Sequence, residues 1–334
     1  MKNTLFVLLD GMEDDPNPEL GGKKPYEVAK MPFIRRKAPH LHWTTGRGYT
    51  QLFLNEFWTG HPPDIARAAI EACGLGMDMS HNRMAFRMSP AFIDGKTVHW
   101  AYGVDDRAED LVESVKSNFY LLEDRNPQIE FFVHGRSVIT MEWDGEPQQT
   151  PQAPVDGPYV PIEDPLGELI LKVASENDGL TIYPWGIGRV GKVYPPFPAV
   201  KNMTAISDSP TALGIAATLG HRIQLIPDLD DRFPAARRAL RDGHVFLHMD
   251  EVDEYSHEKD AHKKIKVLEH IDSMMEEYFS DIENVVFFVD HGTSCVTGTH
   301  ILMDVPFRTD IECFKEGEHV ELDRLVPALM EKLQ

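Results

Sequence analysis

The sequence predicts an α/β protein: a doubly wound, mostly parallel sheet with a smaller inserted α+β domain. Two observations carry that expectation. Four short apolar runs end abruptly in polar, mostly acidic residues, as buried strands do where they open into loops. Segments with helical periodicity alternate with them, which is the pattern of a doubly wound sheet. Leu5–Leu9 runs into Asp10-Gly11, 222–226 into Pro227-Asp228, 244–249 into Asp250, and 285–289 into Asp290-His291-Gly292. Helices are expected at 27–38, 209–219, 232–240 and 257–278, the last with Ile265, Leu268, Ile271 and Met275 on one face. The pattern changes from about residue 85 to 145, where Phe92 to Val98 looks like a hairpin turn, 109–122 a helix, and 129–133 and 137–141 strands. A Pro- and Gln-rich stretch, 146–161, reads as a linker back to the core. The expected domains are therefore a core of 1–84 and 162–334, and an insert with its linker of 85–161.

Composition narrows the function. With 33 Lys and Arg against 54 Asp and Glu, the formal net charge is −21 at pH 7. Such a surface repels phosphate backbones and anionic lipid, so neither nucleic acid nor membrane is an expected partner. Three scattered cysteines, Cys73, Cys295 and Cys313, form no CxxC and suggest no disulfide framework. The apolar run before Asp10 is only five residues long, too short for a signal or spanning segment. A cytoplasmic protein is expected.

The chemistry-bearing residues cluster at strand ends. Asp253 and His257 are spaced i, i+4, Asp290-His291 follows an apolar run, His300 lies nine residues further on, and Asp10 closes the first run. Carboxylate and imidazole donors suit Zn²⁺ or Mn²⁺, while Mg²⁺ is less natural among so many imidazoles. Six such ligands can make two sites, and two ions about 4 Å apart can clamp a phosphoryl group. Taken singly, each residue has an ordinary alternative. Asp10 could be a loop cap, and Asp253 with His257 a helix-start pair. Their shared placement at the carboxyl edge of one sheet favours a common metal centre.

The order of these motifs resembles the archaeal-type cofactor-independent phosphoglycerate mutases of the alkaline phosphatase superfamily. Leu8 to Met12 with Leu20 to Ala29 is similar to that family's opening stretch. Gly74-Leu75-Gly76 with Met84 to Arg87 looks like its entry to the inserted domain. Trp185 to Arg189 with Pro195 to Phe197, and then His248 to His257, Asp290-His291 and His300, match its later motifs. The resemblance implies an alkaline phosphatase-like core with two divalent ions, Mn²⁺ or Zn²⁺. Asp253, His257 and His300 would hold one ion, and Asp10, Asp290 and His291 the other. It further implies a hydroxyl nucleophile, arginines of the inserted domain binding the substrate's anionic groups, and a small phosphorylated metabolite as substrate.

The sequence departs from the family in three places. No Ser-Asp nucleophile motif is present; Thr44 to Leu52 occupies the region, and Thr50, before an apolar stretch with helical potential, is the expected nucleophile. The arginine-rich substrate motif is replaced by residues 101–107, which leave only Arg107. The glycine-arginine-glycine loop is lost in 60–67. Arg136 and Arg189 complete the candidates for substrate binding, each of which could equally be a structural arginine. His248 is read either as a core histidine or as a partner of the first site. The expected activity is phosphoryl transfer on an altered substrate, as a phosphomutase or a phosphatase. The alternatives are a phosphohydrolase or phosphodiesterase, and a silent metal-binding paralogue.

Overall fold

The computed structural model describes residues 3–80, 82–101 and 105–333. The chain forms two compact units, Met1–Pro63 with Tyr194–Gln334, and Asp64–Val193.

The first unit is built on a seven-stranded sheet. Its strands run, edge to edge, Arg222–Leu225, Thr204–Ser207, Val245–Met249, Leu5–Leu9, Val285–Phe288, Asp304–Thr309 and His40–Thr45. The first five are parallel, and Asp304–Thr309 is antiparallel to both of its neighbours. Leu5–Leu9 lies at the centre with every residue buried, as its unbroken apolar run requires. Its register pairs Leu9 with Met249 and Leu8 with Phe288. The residues that continue these strands, Asp10, Asp250 and Asp290, therefore come level at one carboxyl edge.

The helix Thr50–Thr59 is fixed to this sheet by aromatic packing. Phe57 stacks on Phe288 with ring centroids 4.5 Å apart, and Trp58 meets Phe6 edge to face at 5.1 Å. Phe53 stacks on Phe57, one helical turn away, at 5.7 Å. These rings are essentially solvent-free, so the direction of the helix and the position of its first residue, Thr50, are set by the core.

The second unit carries an antiparallel sheet. Arg83–Ile93 pairs with Arg136–Glu142 and Thr97–Trp100, and also with Leu180–Gly188. Helices Ala108–Asn118 and Leu166–Glu176 share a core with the sheet through Leu111, Val115, Leu169 and Val173. Helix Arg67–Gly74 packs Ala68, Ala69 and Ala72 on Ala85 and Val138. The unit is α+β, but it is wider than the 85–161 expected from sequence. The seven register pairs between Arg83–Ile93 and Leu180–Gly188 bind the later strand to this sheet. Partners roughly ninety residues apart leave no local signature.

Two expected helices are broken. The segment 27–38 forms Pro25–Val28 and Pro32–Lys37, because Pro32 starts a new helix and disfavours helical backbone before it. The segment 257–278 is replaced by Glu251–His257 and Ala261–Phe279. Lys259 adopts φ +60°, and Asp260 caps the second helix by accepting from the Lys263 N–H at 2.9 Å. His257 thus ends a short helix instead of starting a long one.

Candidate metal centre

Asp10, Asp253, His257, Asp290, His291 and His300 all converge at the carboxyl edge of the first unit's sheet. One group of possible ligand atoms comes from Asp253, His257 and His300, a second from Asp10, Asp253 and His291, and a third from Asp10, His248 and Asp250. Asp253 belongs to two of them. Asp290 adjoins the second group, its Oδ2 3.4 Å from His291 Nε2.

Backbone carbonyls fix the imidazole tautomers in the first group. His257 Nδ1 faces the Gly298 carbonyl at 2.8 Å, and His300 Nδ1 faces the Gly48 carbonyl at 2.8 Å. A carbonyl can only accept, so each Nδ1 carries a proton. The two Nε2 atoms then face each other at 3.1 Å, with Asp253 Oδ2 at 3.0 Å from one and 3.7 Å from the other. Three acceptors converging in this way repel unless a positive charge sits among them. In the second group, His291 Nδ1 faces Thr293 Oγ1 at 3.1 Å, while Nε2 lies 3.2 Å from Asp10 Oδ1. Asp10 Oδ1 and Asp290 Oδ2 are buried and have no hydrogen-bond partner among the described residues. Buried carboxylate oxygens left unpaired, beside imidazoles aimed at them, are the donor set that a divalent cation satisfies.

The electrostatics express the same need for positive charge. Burial alone would raise Asp10, but the hydrogen bond from His248 and the charge of His291 and His248 hold it well below the usual carboxylate range. Burial would likewise raise Asp253, yet His257 and His300 hold it far below. Asp290 is pushed up to about 7 by burial and by the charge of Asp10. Although burial disfavours imidazolium, Asp253 raises His257 to about 9, and Asp290 and Asp10 raise His291 to about 10. Protons on the rings are thus one way of neutralising the carboxylates, and cations are the other.

Thr50 is brought to the same place. Its hydroxyl donates to Asp10 Oδ2 at 3.2 Å and lies 3.4 Å from His291 Nε2. As the first residue of Thr50–Thr59 it stands at the positive end of a helix dipole.

Supporting residues surround the cluster; Thr293 and Lys264 escaped the sequence reading, whereas His248 was among its candidates, as a core histidine or a partner of the first site. Thr293 donates to Asp253 Oδ1 and meets His291. His248 sits against Asp10, its Nε2 2.6 Å from Oδ2 and its Nδ1 2.7 Å from Ser207 Oγ. Lys264 is wholly buried and donates to Asp14 Oδ2 at 2.9 Å and to the carbonyls of Gly11 and Thr293 at 2.9 and 3.1 Å. It occupies an apolar-stripe position with Leu268, Ile271 and Met275, and a charge at such a position was a legible signal. Gly11 has φ +59°, and a Cβ there would lie 2.3 Å from Asp253 Oδ1, so only glycine lets the loop pass so close.

The expected substrate arginines all belong to the second unit. Arg189 Nη2 donates to the Trp143 and Gly145 carbonyls at 2.6 and 3.0 Å. Arg107 Nη2 donates to the Asn177 carbonyl at 2.6 Å. Arg136 stacks over Phe132 at 5.9 Å, and Arg87 lies over the same ring at 4.3 Å. Of the stretch 101–107, residues 102–104 lie outside the described residues.

Residues 219–327, which hold five of the six clustered candidate ligands, match the Metalloenzyme superfamily. The chain is 23% identical to a 2,3-bisphosphoglycerate-independent phosphoglycerate mutase of Picrophilus torridus, over 92% of this chain and 88% of that one. It is a divergent relative of these mutases. Solved structures share the fold: the PH0037 protein of Pyrococcus horikoshii aligns with TM-score 0.72 at 19% identity, covering 99% of this chain and 98% of that one. The cofactor-independent phosphoglycerate mutase of Thermoplasma acidophilum aligns over the whole of both chains, with TM-score 0.56 at 16% identity. In this mutase relative no helix among the described residues is long and apolar enough to cross a membrane.

Proposed function

We propose that the chain is a two-metal phosphoryl-transfer enzyme acting on a small phosphorylated metabolite other than phosphoglycerate. In this reading Asp253, His257 and His300 hold one divalent ion. Asp10, Asp290 and His291 hold the other, and Mn²⁺ or Zn²⁺ suits the donors. Thr50 is the nucleophile. The single observation that carries the proposal is the Thr50 hydroxyl donating at 3.2 Å to Asp10, inside a cluster whose buried carboxylate oxygens lack partners.

Bound cations supply Lewis acidity, lowering the hydroxyl's pKa and offsetting charge on the phosphoryl oxygens. The chain's own residues supply position. The Thr50–Thr59 helix, locked by Phe53, Phe57 and Trp58, aims Oγ1 from its positive end toward an anionic group. Asp10 accepts the hydroxyl proton's hydrogen bond and so orients the Oγ1 lone pairs, while His248 fixes Asp10 from behind. Transfer forms the Oγ1–P bond and breaks the substrate's P–O bond, with the hydroxyl proton leaving on the departing alcohol.

Hydrolysis of the phosphothreonine is favoured over return of the group to substrate. Two of the second unit's candidates for the anionic groups, Arg189 and Arg107, already donate to backbone carbonyls, which reduces the set of arginines open to a substrate's second anionic group. The test combines elemental analysis of the purified chain with a screen of phosphorylated metabolites for phosphate release or isomerisation. Two ions per chain and release of inorganic phosphate are expected. Metal-free protein that cannot be reloaded, or no turnover across the screen with both ions bound, would overturn the proposal.

A further inference from the structure

On the face of the first unit's sheet beneath Pro32–Lys37 lies a cavity of about 250 Å³. Its floor follows from the strand register. Leu41 pairs with Arg308 and Arg308 with Phe287, which sets one row, and Trp43 pairs with Pro306 in another. Ile34 and Met31 close it from the helical side. The short helix covers this face incompletely, for Leu41 and Trp43 remain half-buried.

The lining is apolar except at one side, where Arg35 and Arg308 stand together with Tyr26. In a chain of net charge −21, neither guanidinium forms an ion pair among the described residues. Arg35 reaches the Tyr26 carbonyl at 3.4 Å and Arg308 the Ala38 carbonyl at 3.5 Å, both at the outer limit of hydrogen bonding. Burial and the charge of Arg35 lower the pKa of Arg308, which Glu316 offsets only in part. Two like charges held together at the rim of an apolar cavity are satisfied by an anion whose body fills it.

We infer that this cavity binds a small organic carboxylate, its alkyl or aryl body packed against Trp43, Ile34 and Phe287 and its carboxylate held by Arg35 and Arg308. Size sets the length. A cavity of about 150 Å³ accommodates benzene, so by proportion this one takes about ten carbon atoms. The cavity is distinct from the metal centre but shares its scaffold: Leu9 and Met12, which line it, flank Asp10 and Gly11, and Val289 precedes Asp290. The inference does not depend on the phosphoryl-transfer reading.

The test is equilibrium dialysis of the full, metal-loaded chain against octanoate, octanol and acetate, with tryptophan fluorescence followed in parallel. Octanoate should saturate at one per chain, at least tenfold tighter than octanol, and acetate should not bind measurably. Arg35 is exposed, so Arg35→Gln folds and should weaken octanoate severalfold while leaving octanol unchanged. The Arg35→Gln/Arg308→Gln pair should abolish the preference. Trp43→Phe should remove the fluorescence change without removing binding. Equal binding of octanoate and octanol, no saturable binding of either, or an octanoate affinity untouched by Arg35→Gln would overturn the inference. So would octanoate dissociating a dimer of the chain, which would assign the cavity to a second copy.

Discussion

His257 Nε2 and His300 Nε2 stand 3.1 Å apart, with the opposite nitrogen of each ring anchored on a backbone carbonyl. Two imidazole acceptors in contact, with Asp253 beside them, form a charge trap that a cation or extra protons must fill. Chelation should therefore destabilise the chain. An ion present at a hundred to a thousand times its Kd contributes about 3–4 kcal/mol. The loss should appear as a lower Tm in calorimetry and be restored by adding metal. His257→Ala should reproduce most of the loss and make the chain insensitive to chelator at that site. A Tm indifferent to both chelator and metal would remove the cluster as a metal centre.

Thr50 separates a covalent enzyme from a silent paralogue. Thr50→Ala should retain both ions and an unfolding free energy within about 1 kcal/mol of the parent, since the residue is half-buried and its helix is held by aromatic packing. Turnover should fall at least ~10³-fold, and labelling by a ³²P-phosphorylated substrate should vanish. Thr50→Ser keeps the hydroxyl and should restore labelling. Undiminished labelling of the alanine variant would take the nucleophile's role from Thr50.

Much of this centre was legible in the sequence because parallel strands end where ligands collect. Asp10, Asp290 and His291 could be placed from apolar runs alone, and the i, i+4 spacing of Asp253 and His257 survived the break in the expected helix. Strands whose polar residues are buried were not legible: Thr204 and Ser207 are solvent-free in the second strand of the sheet, where their composition suggests a turn. Leu180–Gly188 was hidden for another reason, since its partner lies in a distant part of the chain. Thr293 gave no signal at all, because a threonine between His291 and a loop matches no spacing rule.

Lys264 should prove the most sensitive supporting residue. It is buried against Asp14 and ties the carbonyls of Gly11 and Thr293 to one point. Removing one partner of a buried pair leaves an uncompensated charge, which costs about 3–5 kcal/mol. Lys264→Met should lose about that much stability in urea melts and should lower metal occupancy as the loop loosens. Lys264→Met with Asp14→Asn should recover part of the stability, because no charge is then left unpaired. Strictly additive losses in the double variant would show that the two residues act separately.

Acid sensitivity offers a check away from the clustered carboxylates and imidazoles. His221 is buried, neither ring nitrogen has a hydrogen-bond partner among the described residues, and burial lowers its pKa to about 4. In the unfolded chain an ordinary imidazole titrates near 6.5. Between these values the unfolded state binds a proton that the folded state refuses, so stability rises with pH across the window. The contribution is fully present above about 6.5 and is lost as pH falls through about 4, a change of order 2–3 kcal/mol. His221→Leu removes the titrating group while keeping an apolar side chain in place. It should flatten the dependence of unfolding free energy on pH between 6.5 and 4 by that amount, with metal-saturated protein used throughout so that ligand protonation does not intrude. An unchanged acid slope in the variant would mean that His221 is already protonated, or already exposed, in the folded chain.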